Sequence, residues 1–204
     1  DVSSDFERVR CVREAVGDNV GIRVDANDHY STEEAIKFIN KIEQLNVEHV
    51  EQPISRYDFL GMREIRKSVN VPLMTDDMVS TPLDAMNVIR LDAADRVKVK
   101  VTKHGIDGAI QIISMLSSAG KRAVLGHVFE TGLAAVAEAH LAMLFPDIVG
   151  PHEIGSMEPL GVADKILHED PYCDHGSITI PEGVGLGVSV DWEQVENYKV
   201  NLFC

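Results

Sequence analysis

Three acidic residues, Asp25, Glu51 and Asp76, lie 26 and 25 positions apart, and each closes a short apolar run: Gly-Ile-Arg-Val-Asp, Glu-His-Val-Glu and Pro-Leu-Met-Thr-Asp. That interval is the length of one strand plus one helix. In a parallel β/α barrel all strands run the same way, so residues ending consecutive strands become neighbours on one rim, the rim on which such barrels carry their chemistry. Three carboxylates gathered there repel one another unless a cation lies between them. A hard divalent ion with a preference for oxygen, Mg²⁺ foremost and Mn²⁺ as the alternative, suits such a set.

One unit further on, Arg-Val-Lys-Val-Lys-Val brings Lys100 to the position where the next strand reaches the rim, and Glu130 follows on the unit after that. A basic group beside a metal-bound acid is what abstraction of a proton α to a carboxylate requires, because the metal stabilises the enediolate that forms. An ordinary lysine, with a pKa of about 10.4, is protonated at neutral pH. A divalent ion nearby disfavours the ammonium form and so makes a lysine base workable.

Arg-Val-Asp-Ala-Asn (23–27), Val-Glu-Gln-Pro (50–53), the pair Asp76-Asp77 and Val-Lys-Val-Thr-Lys-His-Gly (99–105) together resemble the signature of the enolase superfamily. Lys100 is most similar to the lysine of its muconate-lactonizing-enzyme subgroup, within the mandelate racemase/muconate lactonizing enzyme family. The resemblance runs over nearly the whole chain. It implies Asp25, Glu51 and Asp76 as metal ligands, Lys100 as an acid/base on one face of the substrate, and Glu130 as an acid that contacts the substrate. It also implies a small carboxylate substrate and a homo-oligomer in the full-length form.

A complete barrel of this kind needs about 250 residues, whereas this chain has 204. The apolar runs predict strands near 20–25, 48–52, 72–76, 96–101, 122–126 and 148–151, too few to close an eightfold barrel. The expected fold is therefore α/β, a partial (β/α) barrel of the superfamily's C-terminal domain. Residues 1–155 form the barrel segment with the metal site, and 156–204 form a loop-rich tail. Relatives carry a capping domain and two more strands ahead of this point, the second holding a Lys-x-Lys motif that has no counterpart here upstream of Asp25. The expectation is that the tail returns toward such a domain and that these residues alone lack activity.

Val9, Val12 and Val16, and then Ala35, Ile36, Ile39 and Ile42, recur at the spacing of helices with one buried face. Helices are predicted at about 4–16, 32–45, 57–69, 82–91, 107–119 and 131–144, with Ser31, Thr81-Pro82 and Asp107 as start signals. The short, almost wholly apolar strands between them suit a parallel sheet covered on both faces. A formal charge of −14 excludes an electrostatic nucleic-acid binder. No run approaches the roughly 18–20 apolar residues of a membrane span, and nothing resembles a signal peptide. Three widely spaced cysteines, Cys11, Cys173 and Cys204, suit reduced thiols in a cytoplasmic protein.

Four further residues carry alternatives. Asn27, two positions after Asp25, is placed to orient that ligand. At the third ligand, mandelate-racemase-like enzymes use the position where Asp77 stands; Asp76 is favoured as ligand here and Asp77 as its partner. Lys98 shares a strand face with Lys100, where relatives hold a small or neutral residue; it either bridges a metal-ligand carboxylate, weakening metal affinity, or snorkels outward. His127, in Leu-Gly-His-Val-Phe, stands where the mandelate-racemase group places a catalytic histidine, although the Asp that those enzymes pair with it is replaced here by Lys100. The chemistry implied is a metal-dependent isomerase or lyase, as a cycloisomerase or as a racemase or epimerase; a homologue without turnover is the alternative.

Overall fold

The computed structural model describes residues 1–126, 128, 130–145, 148, 150–154, 166–169 and 173–199. Strands and helices alternate: α1 (Val2–Val16), β1 (Ile22–Asp25), α2 (Thr32–Ile42), β2 (Val47–Glu51), α3 (Phe59–Ser68), β3 (Leu73–Thr75), α4 (Pro82–Leu91), β4 (Arg96–Val99), α5 (Val101–Ser118), β5 (Arg122–Leu125) and α6 (Gly132–Leu144). After them come a two-stranded antiparallel hairpin, β6 (Cys173–Asp174) and β7 (Ser177–Ile178), and a short α7 (Trp192–Asn197). The five long-range strands form one sheet in the order β1-β2-β3-β4-β5. The pairs β1/β2, β2/β3 and β3/β4 are parallel, as successive β/α units require.

The chain divides into two compact units, residues 1–99 with 111–123, and residues 100–110 with 124–204. In the first, α1 packs beside α2, α2 beside α3 and α3 beside α4. Phe38, Ile39 and Ile42 of α2, Met62 and Ile65 of α3 and Val88 of α4 are buried. Each such side chain contributes roughly 1.5–3 kcal/mol on removal from water. Val50 and Glu51, consecutive and so on opposite faces of β2, are both buried, which shows that this strand is covered on both sides.

The helix starts follow local chemistry. Ser31 and Glu34 form a reciprocal capping box on α2, and Thr81 and Asp84 form another on α4, with Pro82 in the first turn. Asp107 stands just past a break in α5: Gly105, whose φ of 65° lies outside the helical region, separates a first turn starting at Val101 from the helix that runs on to Ser118. β4 accordingly stops at Val99 and not at residue 101. Of the strand expected at 148–151, the described residues 148, 150 and 151 are not extended into the sheet. Pro151 has no N–H to give to a ladder, and the hydrogen bond next to β5 comes later, from Glu153 N to Leu125 O at 2.9 Å. The expected boundary at 155/156 lies outside the described residues. Among the described residues no helix is long and apolar enough to cross a membrane.

In α1 the buried face takes only one of the three valines. Val12 and Val16 are 47% and 40% exposed, while Val9 and Arg13, one turn apart, point inward. Arg13 earns that position through hydrogen bonds. Its guanidinium donates to the carbonyls of Gly17 (2.6 Å), Val20 (2.7 Å), Leu45 (3.0 Å) and Asn46 (3.1 Å), tying the end of α1 to the entries of β1 and β2. Arg13→Met keeps the stem but leaves those carbonyls without their donor. It is expected to lower the stability of this chain by roughly 3 kcal/mol, read as a shift in urea midpoint with unchanged slope.

Candidate active site

Parallel pairing sets Asp25 opposite Glu51 in the register of β1 and β2. Asp76 directly follows β3, so all three acids stand at strand ends on the side where β/α sheets carry their sites. Their environments differ sharply. Asp25 is exposed, Asp76 intermediate and Glu51 buried.

Each acid is held by its neighbours. Asn27 donates to Asp25 twice, from its backbone N to Oδ1 at 3.0 Å and from Nδ2 to Oδ2 at 3.1 Å. The turn at Asp76 is fixed by Gln52, whose Oε1 accepts from Asp76 N (3.0 Å) and Met78 N (3.3 Å) while its Nε2 donates to Ile54 O (2.8 Å). Gln52 lies inside the Val-Glu-Gln-Pro motif but has no role assignable from sequence; its φ of 35°, uncommon for a side chain other than glycine, aims its amide at the next loop. Asp77 turns to Arg56, with Nη1 2.6 Å from its Oδ2, and Arg56 Nε donates to Asp28 at 2.9 Å.

Lys98 settles between its two sequence readings: Nζ lies 2.6 Å from Glu51 Oε2, both side chains buried. The second oxygen, Glu51 Oε1, is buried without a hydrogen-bond partner. Burial pushes the Glu51 carboxyl up, to about 7; the Lys98 ammonium pulls it down, and the charges of Asp25 and Asp76 push it up again. Deeper on the same face of β2, His49 is fully buried with Nδ1 2.9 Å from Arg96 Nη1. Burial and the cations Arg96, Arg23 and Lys98 push its pKa down to about 3. It is therefore a neutral packing residue, with Nδ1 accepting from the guanidinium.

The donor set, three hard carboxylates with one buried oxygen unsatisfied, suits a divalent ion by chemistry. The side chains are not drawn together as they stand. Among the described residues no group of three or more His, Cys, Asp or Glu is arranged to hold a metal ion.

The second unit contains Lys100 and its surroundings. Lys100 is buried, just past β4. His104 Nδ1 lies 3.1 Å from Lys100 N and 2.9 Å from Lys100 O, accepting from the first or donating to the second according to its tautomer. Glu138 Oε1 accepts from Val101 N at 3.2 Å, which secures the first turn of α5. Burial pushes the Glu138 carboxyl up to about 8; the Val101 N–H and Lys100 lower it and Glu130 raises it. Glu138 has one legible signal, being the sole Asp, Glu, Lys or Arg in the apolar helix α6. Glu130 Oε1 accepts from Thr102 Oγ1 at 2.8 Å and its Oε2 from Val128 N at 2.6 Å. His127 lies outside the described residues.

Residues 1–195 match the family model "Enolase C-terminal domain-like". The chain is 33% identical over 184 residues to the D-Ala-D/L-Ala epimerase of Cytophaga hutchinsonii, covering 90% of this chain and 50% of that one. It is 29% identical to muconate cycloisomerase 1 of Rhodococcus opacus, covering 98% and 54%. Among solved structures, the dipeptide epimerase of Cytophaga hutchinsonii complexed with Mg and the dipeptide D-Ala-L-Val superposes with a TM-score of 0.85 at 30% identity, over 97% of this chain and 53% of that one. The chain thus spans about half the length of the relatives it matches. With the parallel β/α sheet, the carboxylates at its strand ends and a family match over nearly its whole length, the chain belongs to the enolase superfamily, as a C-terminal barrel segment of the mandelate racemase/muconate lactonizing enzyme family.

Proposed function

We propose that this chain contributes the metal-binding carboxylates and one acid/base lysine to a Mg²⁺-dependent racemase or epimerase acting α to the carboxylate of a small substrate. The observation that carries this reading is the buried Glu51, in register with Asp25, with one oxygen unsatisfied. Asp25, Glu51 and Asp76 would hold the ion. Mg²⁺, when bound, supplies positive charge to stabilise the negative charge that develops on the substrate carboxylate. Lys100 would remove or return the α-proton on one face, and Glu130, whose carboxylate is held by Thr102 and the N–H of Val128, would contact the substrate.

Dipeptides are favoured over muconate-like diacids, because relatives above 30% identity are named as D-Ala-D/L-Ala and L-Ala-D/L-Glu epimerases whereas muconate cycloisomerase 1 stands at 29%. Inversion at carbon needs a proton group on each face. Lys100 furnishes one, so the 204 residues in isolation are expected to give no turnover.

Glu51→Gln deletes charge with little change in volume. Titration calorimetry with MgCl₂ is expected to show affinity reduced at least about tenfold, since even the outer partners of metal ligands act on that scale, while circular dichroism stays unchanged. In the intact gene product, Lys100→Ala should abolish exchange of the substrate α-proton with deuterated solvent on one face, and His127→Asn should leave it largely intact; NMR on an alanine-containing dipeptide reads both. The reverse pattern would transfer the proton chemistry to His127.

Glu138 makes a pH prediction. Its carboxyl binds a proton more tightly folded than unfolded, so its neutral form favours the native state fully below the ordinary glutamate range. That advantage is lost as pH rises from about 4.5 through about 8. Glu138→Gln keeps an acceptor for Val101 N and removes the titration. The variant is expected to melt above the wild type at pH 8 and close to it at pH 4.5, as scanning calorimetry would show.

A further inference from the structure

Most cations of the first unit meet their acids near the surface. Arg56 bridges Asp28 and Asp77, and Arg66 bridges Asp92 and Asp95, all partly exposed. Lys98 is different in kind. Its ammonium is 7% exposed and reaches, at 2.6 Å, a Glu51 carboxylate that is 4% exposed at the end of β2. A buried ion pair adds little net stability, because desolvation of both charges offsets their attraction. Its placement on this carboxylate therefore asks for an explanation beyond holding the sheet together.

We propose that Lys98 is a tethered competitor for the divalent ion: its ammonium occupies Glu51 Oε2, and metal binding requires Lys98 to withdraw from that oxygen. This rests on Asp25, Glu51 and Asp76 being the metal site. Three observations converge on it. Glu51 Oε1 is without a hydrogen-bond partner while Oε2 is taken by Lys98, so the carboxylate is oriented by the lysine and its remaining oxygen is left over. Asp25 and Glu51 are register partners, yet among the described residues no group of three His, Cys, Asp or Glu is arranged to hold a metal ion. And a lysine on a four-carbon stem is a mobile point charge, able to retract where a guanidinium fork would not. The consequence is a site that is electrostatically neutralised when metal is scarce and loads only at elevated metal concentration, with the lysine's charge opposing the ion throughout.

The test is Mg²⁺ titration of this chain by calorimetry, with Lys98→Met and Lys98→Gln beside the wild type and Glu51→Gln as the site control. Both lysine variants are expected to bind Mg²⁺ about tenfold or more tightly than the wild type, and Mg²⁺ should raise their melting temperature by more than it raises that of the wild type. Lys98→Gln keeps a hydrogen bond to Glu51, so the comparison survives if the methionine variant does not fold. Wild-type affinity in the folded lysine variants, with weakened binding in Glu51→Gln, would overturn the competitor and leave the metal site standing. Absence of Mg²⁺ binding by every protein would overturn both, and failure of both lysine variants to fold, seen by circular dichroism, would make the pair a structural lock and overturn the competitor.

Discussion

The parallel backbone register between β1 and β2 is the constraint from which the rest of the site follows. It sets Arg23 against His49 and Asp25 against Glu51, and because side chains alternate along a strand the same two steps define two layers. The deeper layer holds a neutral histidine against Arg96; the outer one holds the acids. The hydrogen bonds that continue the register, Ala26 N to Glu51 O and Gln52 N to Met74 O, carry the chain out of the strands in step, so that the loops leave the sheet at matched heights. A slip of one residue in β2 would turn Glu51 to the opposite face of the sheet.

Within that frame, charge is managed by burial as much as by pairing. Glu51 is the deepest of the three acids, and removal from water works against its ionised form while Lys98 works for it. His49, under the same burial and beside cations, is driven neutral, which lets it accept from Arg96 instead of adding another positive charge to a layer that already has several. Asp25 and Asp76 stay nearer water and are positioned by amide groups, Asn27 for the one and Gln52 for the other. Asn27 holds the Asp25 carboxylate itself, whereas Gln52 accepts from the backbone N–H groups of Asp76 and Met78 and so fixes the turn.

In the second unit the same economy holds at Lys100. The strand ends one residue earlier, and Glu138 from α6 takes the Val101 N–H that the start of a helix leaves without an intrahelical partner. Gly105 then breaks the helix after a single turn. The lysine is thereby placed on a short, pinned turn and not on an extended strand, which fixes its backbone from both sides.

The order and kind of the elements from α1 to α6 were legible in the residues, because apolar spacing of two kinds and capping pairs such as Ser31 with Glu34 are local properties. The placement of Asp25, Glu51 and Asp76 at strand ends was legible for the same reason: a fixed interval between strands is visible in one dimension. Tertiary structure alone decided what those residues touch. That Lys98 reaches Glu51, residues 47 apart in sequence, depends on the one intervening strand, β3, and the register of its two pairings, and no local pattern encodes it. The inward turn of Arg13 in place of Val12 and Val16 was likewise settled by four carbonyls that only the folded chain brings within reach. Periodicity reports which residues lie on one face of an element; which face is buried, and against what, is a property of the packed molecule.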